Sequence, residues 1–295
     1  MPLPTSVITV NFNAGASLLA CVRSVLASTA KVEVFVVDNG STDGSLAALA
    51  GALGGDPRVT VIEAGENLGF ARANNIGIAR AQGDFLLLLN PDCVIEPDTV
   101  ARMQEAMERY PAAAIGGCLV LNPDGSEQAG CRRAIPTPWR AFIRAFGLAR
   151  FFPNHQKLFN DFVLAREPLP PAPVEVEAIS GAFMFVRAAA MRDVGAMDEG
   201  YFLHCEDLDW CMRFRQAGKQ VLFVPDIRIV HDKGRCSRDR PLRVLWHMHR
   251  GMIRFYRKFF AHQYPRPLMW LVVAGIGVRL SALGTLTLLR RGRSR

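Results

Sequence analysis

The sequence has 295 residues, half of them apolar, so it can bury a full core and is long for one α/β domain. The N-terminal stretch lacks a basic segment followed by an apolar one, which argues against a signal peptide. Seven cysteines without a CxxC pair predict neither a disulfide framework nor a zinc cage, and they favour a reducing cytoplasm.

The net charge of +8 is unevenly distributed along the chain. From Asp232 onward there are 15 Lys and Arg against 2 Asp and Glu, whereas residues 1–231 hold 20 against 25. A mildly acidic body therefore carries a strongly basic tail. Such asymmetry predicts an anionic partner, either a membrane surface or a nucleic acid.

Strands and helices alternate in the first third of the chain. Apolar, β-branched runs predict strands at residues 6–10, 32–37 and 59–63. Apolar residues at helical spacing predict helices at residues 17–27, 46–53 and 72–81. Asp43 or Ser45 is placed to cap the second helix. This alternation is typical of a parallel sheet with right-handed crossovers.

Residues 83–95, GDFLLLLNPDCVI, predict a buried parallel strand at the centre of the sheet. A continuous apolar run bounded by Gly and Pro is typical of a strand that is covered on both faces. Pro91 ends the strand because it has no N–H to donate. Asp92 is therefore expected at the carboxyl end of a central strand, where open α/β sheets bind ligands.

Polar residues also follow the first two strands, at residues 11–13 and at Asp38. Asn, Asp and Gly favour turns for local reasons, so each loop alone fits an ordinary turn. Three such loops at one edge of a parallel sheet favour a ligand pocket instead. No GxGxxG motif follows the first strand, so the dinucleotide fingerprint is absent.

Several motifs lie in order between residues 5 and 237: VITVNFN, VVDNGSTDGS, ENLGFARANNIGIA, LLLLNPDCVI, ISGAFMFVR and MDEGYFLHCEDLDWCMRFRQAGKQVLFVP. Together they resemble the family 2 glycosyltransferases, which have the GT-A nucleotide-sugar fold. The NPD form with EDLDW downstream is most similar to the bacterial rhamnosyltransferase-like branch. The resemblance implies a mostly parallel central sheet that is flanked by helices.

The resemblance also implies roles for residues that bind the donor. Phe12 stands where the family places an aromatic ring that stacks on uracil or thymine. Asp38 stands where a carboxylate accepts from the pyrimidine N3, which is a hydrogen-bond donor. The other implied donor-binding residues are Asn13, Ser41, Asp43, Asn67, Gly69, Arg72, Asn75 and Asn90.

A metal site is implied at Asp92, which occupies the position of the family's DXD acid. Asn90 replaces the first acid of that motif, so His231 is the candidate for a further ligand. Mg²⁺ or Mn²⁺ suits such a site, and an imidazole ligand favours Mn²⁺. A single histidine is more often structural, and that alternative remains open for His231.

Asp207 is implied as the general base that deprotonates the acceptor hydroxyl, with inversion at the anomeric carbon. Ser180, Gly181, Glu206, Asp209 and Trp210 are implied in sugar or acceptor binding. Helical spacing after residue 206 predicts that a helix begins there and ends at Gly218. As an alternative, the acids in the first turn of this helix serve only to stabilise it. The small residues 180–182 likewise fit a role in close packing.

The tail predicts a basic amphipathic helix at residues 245–260, followed by an apolar segment at residues 268–289 that contains Arg279. A central Arg disfavours a membrane span, so a helix that lies in the membrane interface is expected. A helix buried against the catalytic domain is the alternative. Residues 135–173 are poorly periodic and are expected to form an acceptor-side loop or lid.

We therefore expect a catalytic domain at residues 1–237, with a nucleotide half at 1–95 and an acceptor half at 96–237. Residues 238–295 are expected to form an extension that attaches to the inner face of a bacterial membrane. The predicted activity is metal-dependent transfer of L-rhamnose from dTDP-L-rhamnose to a lipid-linked or polysaccharide acceptor. The alternatives are a UDP-sugar donor, a sugar nucleotidyltransferase, and an inactive relative that binds membrane or nucleic acid. Nucleic acid is the least favoured partner, and homo-oligomerisation is left open.

Overall fold

The computed structural model describes residues 3–141, 164–232 and 241–293. The strands in this part of the chain are β1 Thr5–Asn11, β2 Val32–Asp38, β3 Val59–Glu63, β4 Phe85–Leu89, β5 Cys93–Val94, β6 Ala113–Leu121, β7 Arg132–Arg133, β8 Val174–Val176, β9 Ala178–Ile179, β10 Phe183–Arg187 and β11 Gln220–His231. The helices are α1 Ala16–Leu26, α2 Ser45–Leu53, α3 Phe70–Ile78, α4 Thr99–Arg109, α5 Ala188–Val194, α6 Glu206–Gln216, α7 Pro241–Phe260 and α8 Arg266–Arg293, with a 3₁₀ turn at Leu164–Arg166.

One sheet organises these elements, in the order β3-β2-β1-β4-β10-β6-β11-β5, with β8 also paired to β11. Strands β3, β2, β1 and β4 are parallel, as the alternation of strands and helices predicts. Asn11 lies level with Asp38 across the β1–β2 pair, so the polar ends of these strands are side by side. A separate two-stranded ribbon joins β7 to β9.

The central strand β4 is almost completely buried, as its apolar run predicts. Its neighbour β1 is parallel, but its other neighbour β10 is antiparallel. A continuous apolar run indicates that both faces are covered and carries no information on strand direction. Helix α3 lies close to β1 because residue 77 is glycine, and a Cβ there would come within 2.5 Å of Ile8 Cγ2.

Strand β11 is irregular at Pro225. The strand continues to His231, but Val224 pairs with Cys118 and Arg228 pairs with the next β6 residue, Leu119. Residues 225–227 therefore form a bulge. Proline is tolerated at such an irregularity because its missing N–H interrupts no ladder bond there.

The two C-terminal helices differ in burial. Helix α7 packs against the rest of the described chain through a buried face that includes His249, Gly251, Phe255 and Tyr256. In the described part of the chain, Arg266–Leu289 of α8 is the one helical stretch that is long and apolar enough to cross a bilayer. Only 6% of its most apolar window is buried, so it is not a core helix. Most of the expected loop at 135–173, from 142 to 163, lies outside the described residues.

Candidate active site

The carboxyl ends of β1 and β2 are joined by buried polar side chains. Asn11 Nδ2 donates to Asp38 Oδ1 at 2.8 Å and to Ser45 Oγ at 2.9 Å. The other Asp38 oxygen accepts from the Ser41 backbone N–H at 3.1 Å. Only 5% of Asp38 is exposed, so its carboxylate is held in one orientation. Phe12 is half-buried directly after β1.

Asn13 links the first two loops. It has a left-handed φ of 54°, which asparagine tolerates better than most residues. Its backbone N–H donates to Ser41 Oγ at 3.0 Å, and its Oδ1 accepts from the Thr42 N–H at 2.7 Å. These contacts bring predicted donor-binding residues 13 and 41 together.

Asp43 holds the beginning of α2. Its carboxylate accepts from the Ser45 N–H and Oγ, and from the Gly15 N–H at 2.7 Å. Of the two predicted capping residues, Asp43 is therefore the one that accepts from the first residue of the helix. Partial burial raises the pKa of Asp43, but these hydrogen bonds outweigh it and lower the pKa below its ordinary value.

The third loop is fastened by Asn39 and Asn67. Asn39 Nδ2 donates to Asn67 Oδ1 at 3.1 Å, and Asn39 Oδ1 accepts from the Leu68 N–H at 2.9 Å. Gly69 has φ +86°, and a Cβ there would come within 2.5 Å of the Phe202 carbonyl oxygen. We call the loops that follow β1, β2 and β3 the nucleotide edge.

The contacts of Arg72 and Asn75 are with residues 197–199 and not with the nucleotide edge. Arg72 Nε lies 3.8 Å from Glu199 Oε2, and both side chains are more than half exposed. Asn75 exchanges hydrogen bonds with the Met197 backbone at 2.9 and 3.0 Å. The nucleotide role predicted for Asn75 therefore does not fit its contacts, because its amide ties α3 to residues 197–199.

Asp92 and His231 meet where β5 pairs with the end of β11. Asp92 Oδ1 lies 3.1 Å from His231 Nε2, and both residues are at least nine-tenths buried. Gln128 Oε1 accepts from His231 Nδ1 at 2.7 Å, because Gln128 Nε2 donates to Asn122 Oδ1 and to the His231 carbonyl. His231 Nδ1 therefore carries a proton, and Nε2 is the ring nitrogen that faces Asp92.

This pairing fits a divalent cation. A carboxylate oxygen and an imidazole lone pair repel each other unless a proton or a cation lies between them. Asn90 Oδ1 is buried without a hydrogen-bond partner beside them, and Asn90 Nδ2 lies 3.4 Å from His231 Nε2. A second hard oxygen is therefore available to a metal ion.

Cys93 is the third residue of this group, with a potential ligand atom within 4.8 Å of those of Asp92 and His231. Burial, and then the charge of Asp92, raise the pKa of the Cys93 thiol well above its ordinary value. Its Sγ lies 3.6 Å from the Ala182 carbonyl, which accepts the thiol proton. A protonated thiol is a poor ligand, so the site favours oxygen and imidazole donors.

Asp207 lies in the first turn of α6 and is held by two donors. Its Oδ2 accepts from the Gly181 N–H at 3.1 Å and forms an ion pair with Arg133 Nη2. Burial lowers the pKa of Arg133, but Asp207 outweighs it and raises the pKa above its ordinary value. Gly181 and Asp207 are therefore in contact, and Ser180 directly precedes Gly181. We call residues 90, 92, 206, 207 and 231 the catalytic edge.

Sequence reasoning missed Arg133 and Gln128. Arg133 lies on β7, a strand of two residues that has no periodic signal, and its partner Asp207 is 74 residues away. Nothing in the sequence around Gln128 indicates that it is buried, although only 4% of it is exposed. A motif search around the predicted ligands cannot find partners that are this distant in the chain.

Glu206 is 5% exposed, and its Oε2 has no hydrogen-bond partner. Burial, and then the adjacent Asp207, raise the pKa of Glu206 to about 8. At neutral pH this carboxyl group is therefore mostly protonated. It can donate a hydrogen bond next to the predicted base.

Asp209 and Trp210 are predicted to bind the sugar or the acceptor, but both are buried and have no exposed surface. Asp209 accepts from Arg213 Nε at 2.7 Å and from Lys258 Nζ at 2.6 Å. Trp210 Nε1 donates to the Gly195 carbonyl at 2.9 Å. Residues 208–211 of α6 are all buried, so the helix is covered on most sides, and the Asp209 and Trp210 side chains hold it in place through these contacts.

The described sheet brings a buried carboxylate, a carboxylate–imidazole pair and a candidate base to one edge, an arrangement that fits a glycosyltransferase of GT-A fold. The profile of Glycosyl transferase family 2 matches residues 6–166, which is more than half of the chain. The chain belongs to this family, and it is a glycosyltransferase. The family and the glycosyltransferase activity that the sequence predicts are confirmed.

One of two curated relatives extends the likeness to the tail. The chain is 30% identical to the N-acetylglucosaminyl-diphospho-decaprenol L-rhamnosyltransferase of Mycobacterium tuberculosis (strain H37Rv), over 98% of this chain and 95% of that protein. It is 28% identical to the rhamnosyltransferase WbbL of Escherichia coli (strain K12), over 55% of this chain and 60% of that protein.

Solved structures confirm the predicted fold. GalNAc-T7 with UDP, GalNAc and Mn²⁺ matches with a TM-score of 0.58 and 19% identity, over 78% of this chain and 44% of that chain. Staphylococcus aureus TarS matches with a TM-score of 0.57 and 15% identity, over 86% of this chain and 40% of that chain. The chain thus spans less than half of either solved chain, and the likeness is one of fold.

Proposed function

We propose that this enzyme transfers L-rhamnose from dTDP-L-rhamnose to an N-acetylglucosamine that is linked through a diphosphate to a polyprenyl lipid. The observation that carries the proposal is the end-to-end likeness to a rhamnosyltransferase whose name specifies such an acceptor. The likeness includes the tail, which a shared catalytic domain alone would not require. The donor nucleotide follows from the resemblance and from the pyrimidine-binding residues at the nucleotide edge.

The residues of the nucleotide edge bind the donor in this proposal. Phe12 stacks on the thymine ring, and the preoriented Asp38 accepts from N3. Asn13, Ser41 and Asp43 form the wall of the same pocket. Since these groups are already fixed by hydrogen bonds, little ordering is needed when the nucleotide binds.

Asp92, His231 and Asn90 would hold Mn²⁺ or Mg²⁺ beside the donor diphosphate. When bound, the ion supplies positive charge that stabilises the departing diphosphate. Gln128 keeps the proton on Nδ1 of His231 and leaves Nε2 free as a ligand. The imidazole in this set favours Mn²⁺ over Mg²⁺.

Asp207 acts as the general base. It takes the proton from the acceptor hydroxyl as that oxygen attacks the anomeric carbon from the side opposite the diphosphate, so configuration inverts. Arg133 and the Gly181 N–H orient Oδ2 of Asp207. The protonated Glu206 beside it donates a hydrogen bond to the acceptor.

The membrane surface is the proposed location of the acceptor. Helix α8 exposes Trp270, Leu271 and Val278, each about 70% accessible. A groove between α7 and α8 is lined by Arg257 and Arg266 together with Met269, Trp270 and Val273. Cationic groups beside apolar ones suit an interfacial helix on an anionic cytoplasmic leaflet. Arg279, midway along α8, disfavours a full span.

Calorimetric titration tests the donor. Purified enzyme is titrated with dTDP-L-rhamnose and with a panel of UDP-sugars, each with Mn²⁺, Mg²⁺ or a chelator. We expect metal-dependent binding of dTDP-L-rhamnose and transfer to a polyprenyl-diphosphate-linked N-acetylglucosamine, with an inverted linkage by NMR. Binding of a UDP-sugar alone would overturn the rhamnose assignment and retain the family activity.

Vesicle flotation tests the membrane location. The full-length protein is mixed with vesicles of phosphatidylglycerol or of phosphatidylcholine. We expect binding to the anionic vesicles that weakens as salt is raised, and loss of binding in Trp270→Ser combined with Leu271→Ser. Equal binding to both vesicle types would contradict the electrostatic part of the proposal.

A further inference from the structure

Residues 197–205, the segment that precedes α6, lie between α3 and α7, two helices that are distant in the chain. On one side it is fastened to α3, because the Phe70 N–H donates to the Phe202 carbonyl at 2.7 Å. Asn75 binds the Met197 backbone on the same side. The segment then leads directly into Glu206, the first residue of α6. It therefore connects the nucleotide edge to the predicted base.

On the other side, the segment is covered by the tail helix α7. Gly251 lies so close that a Cβ there would be 2.7 Å from the His204 carbonyl oxygen. Arg254 Nη2 donates to both Asp198 oxygens, at 2.8 and 2.9 Å. Lys258 Nζ bridges Asp198 at 2.7 Å and the fully buried Asp209 of α6 at 2.6 Å.

Aromatic contacts add to this interface. The His247 and Phe202 rings are stacked with their centroids 4.1 Å apart. The guanidinium groups of Arg243 and Arg254 lie over the rings of Phe202 and Tyr201, at 5.3 and 5.4 Å from the centroids. Arg243, Arg254 and Lys258 of α7 all contact the protein, so the helix uses these charges for more than attraction to lipid.

The backbone of this segment needs such support. His204 and Cys205 have φ values of 70° and 73°, and two successive non-glycine residues in the left-handed region are unfavourable. Strained backbone conformations of this kind persist only when contacts with the surrounding structure hold them in place. Gly251 contacts this pair of residues, directly before Glu206 and Asp207.

We infer that α7 is a positioning element of the active site, in which Gly251, Arg254 and Lys258 hold residues 197–205 and thereby set both Asp207 and the donor loop. None of the three residues is a catalytic residue, because each acts through the segment that it contacts. The tail thus carries a second role besides membrane attachment. The inference rests on the proposed function only because one of its tests is an assay of sugar transfer.

Two glycine-to-alanine variants form a matched test. Gly51 lies on the exposed helix α2, where a Cβ would meet nothing within 4 Å. Alanine favours a helix over glycine at both positions, so loss in Gly251→Ala alone must come from the close contact. Assays use a water-soluble acceptor with a short prenyl group in detergent, so that vesicle binding is not needed.

We expect kcat of Gly251→Ala to fall by about 10- to 100-fold, since small misplacements of reacting groups have effects of this size. Gly51→Ala should match the wild type. Amide hydrogen exchange in residues 198–207 should accelerate in Gly251→Ala and stay unchanged in Gly51→Ala. Wild-type turnover and unchanged exchange in Gly251→Ala would overturn the inference.

Lys258 supplies a second pair of variants that does not depend on folding of Gly251→Ala. Lys258→Met removes the bridge between Asp198 and Asp209, whereas Lys258→Arg keeps the charge. We expect lower kcat and faster exchange of residues 198–207 in the first variant, and recovery in the second. Equal behaviour of both variants would contradict the inference. If the wild type transfers no sugar, the proposed function fails, and the exchange measurement still decides the positioning role.

Discussion

The nucleotide edge and the catalytic edge belong to the same sheet but differ in how their polar groups are paired. At the nucleotide edge, Asn11, Asn13 and Asn39 use their side-chain amides to bind neighbouring loops. At the catalytic edge, Asn90 Oδ1 and Glu206 Oε2 are buried without hydrogen-bond partners. Unpaired buried polar atoms are costly, and at this edge Asn90 and Glu206 are the groups placed to take partners from outside the chain.

The difference separates two ways of making a binding site. A pocket whose walls bind each other keeps its shape without a ligand, and its residues contribute to folding as well as to affinity. A site with orphaned groups gains its full stabilisation only when a metal ion, diphosphate or acceptor is bound. We therefore expect substitutions at the catalytic edge to affect turnover far more than stability, and the reverse at the nucleotide edge.

The largest effect is expected for Asp92→Ala. Removal of this carboxylate should abolish metal-dependent donor binding and lower kcat by about 10³-fold or more, because charge on the leaving diphosphate is no longer neutralised. Turnover measured against Mn²⁺ concentration checks this. Glu96→Ala, at an exposed acid nearby, is the control. Metal-dependent turnover that persists in Asp92→Ala would remove this residue from the ligand set.

Asp207→Asn should come next. Loss of a general base typically lowers rates by about 10²- to 10⁴-fold, and we expect kcat to fall in this range while donor affinity stays within about twofold of the wild type. Rapid-quench turnover and calorimetry measure the two quantities. Weakened donor binding with unchanged kcat would show that Asp207 belongs to the nucleotide pocket.

Glu206→Gln is expected to change the pH dependence of stability. The folded protein keeps a proton on Glu206 up to about pH 8, whereas the unfolded chain releases it near pH 4.5. The folded state binds more protons in this window, so the free energy of unfolding falls as pH rises through it and then levels off.

Urea denaturation across this window measures the slope for the wild type and for Glu206→Gln. The glutamine side chain cannot ionise, so this part of the slope should disappear, while Glu105→Gln at an exposed acid should keep it. Turnover of Glu206→Gln at neutral pH should fall by only a few fold, about the effect of one altered hydrogen bond. An unchanged slope would contradict the raised pKa.

The smallest effect on turnover is expected for Asn39→Ala, at the nucleotide edge. The substitution leaves Asn67 and Leu68 without their partner and should lower the free energy of unfolding by about 1–3 kcal/mol. Donor KM should rise a few fold, with kcat within about twofold of the wild type. A loss of kcat as large as that of Asp207→Asn would remove the contrast between the two edges.

The strands and helices of residues 1–95 are predicted well. In this part of the chain, the local sequence pattern and the tertiary environment favour the same secondary structure. Strands such as β4 are buried on both faces, so their apolar runs are visible without knowledge of the fold. The placement of Asp92 at a strand end follows from Pro91. The direction of β10 and the bulge in β11 do not follow, because strand direction and register depend on partners elsewhere in the chain.

The site and the tail show a second limit. Arg133 meets Asp207 only through the fold, and nothing near residue 133 signals that contact. The amphipathic face of α7 is predicted, but an apolar stripe edged by cations fits a lipid surface and a protein surface equally well. The decisive contacts, those of Arg254 and Lys258, pair with acids that lie more than 40 residues away.

The bulge at residues 225–227 has a consequence for changes in chain length. Beyond it, side chains of β11 alternate between buried and exposed, and His231 lies on the buried face with Ile229. Deleting or inserting one residue in the bulge would reverse this alternation and turn the imidazole away from Asp92. A two-residue change would restore the face. At this stretch, the parity of the residue count constrains the enzyme more than the identity of the residues.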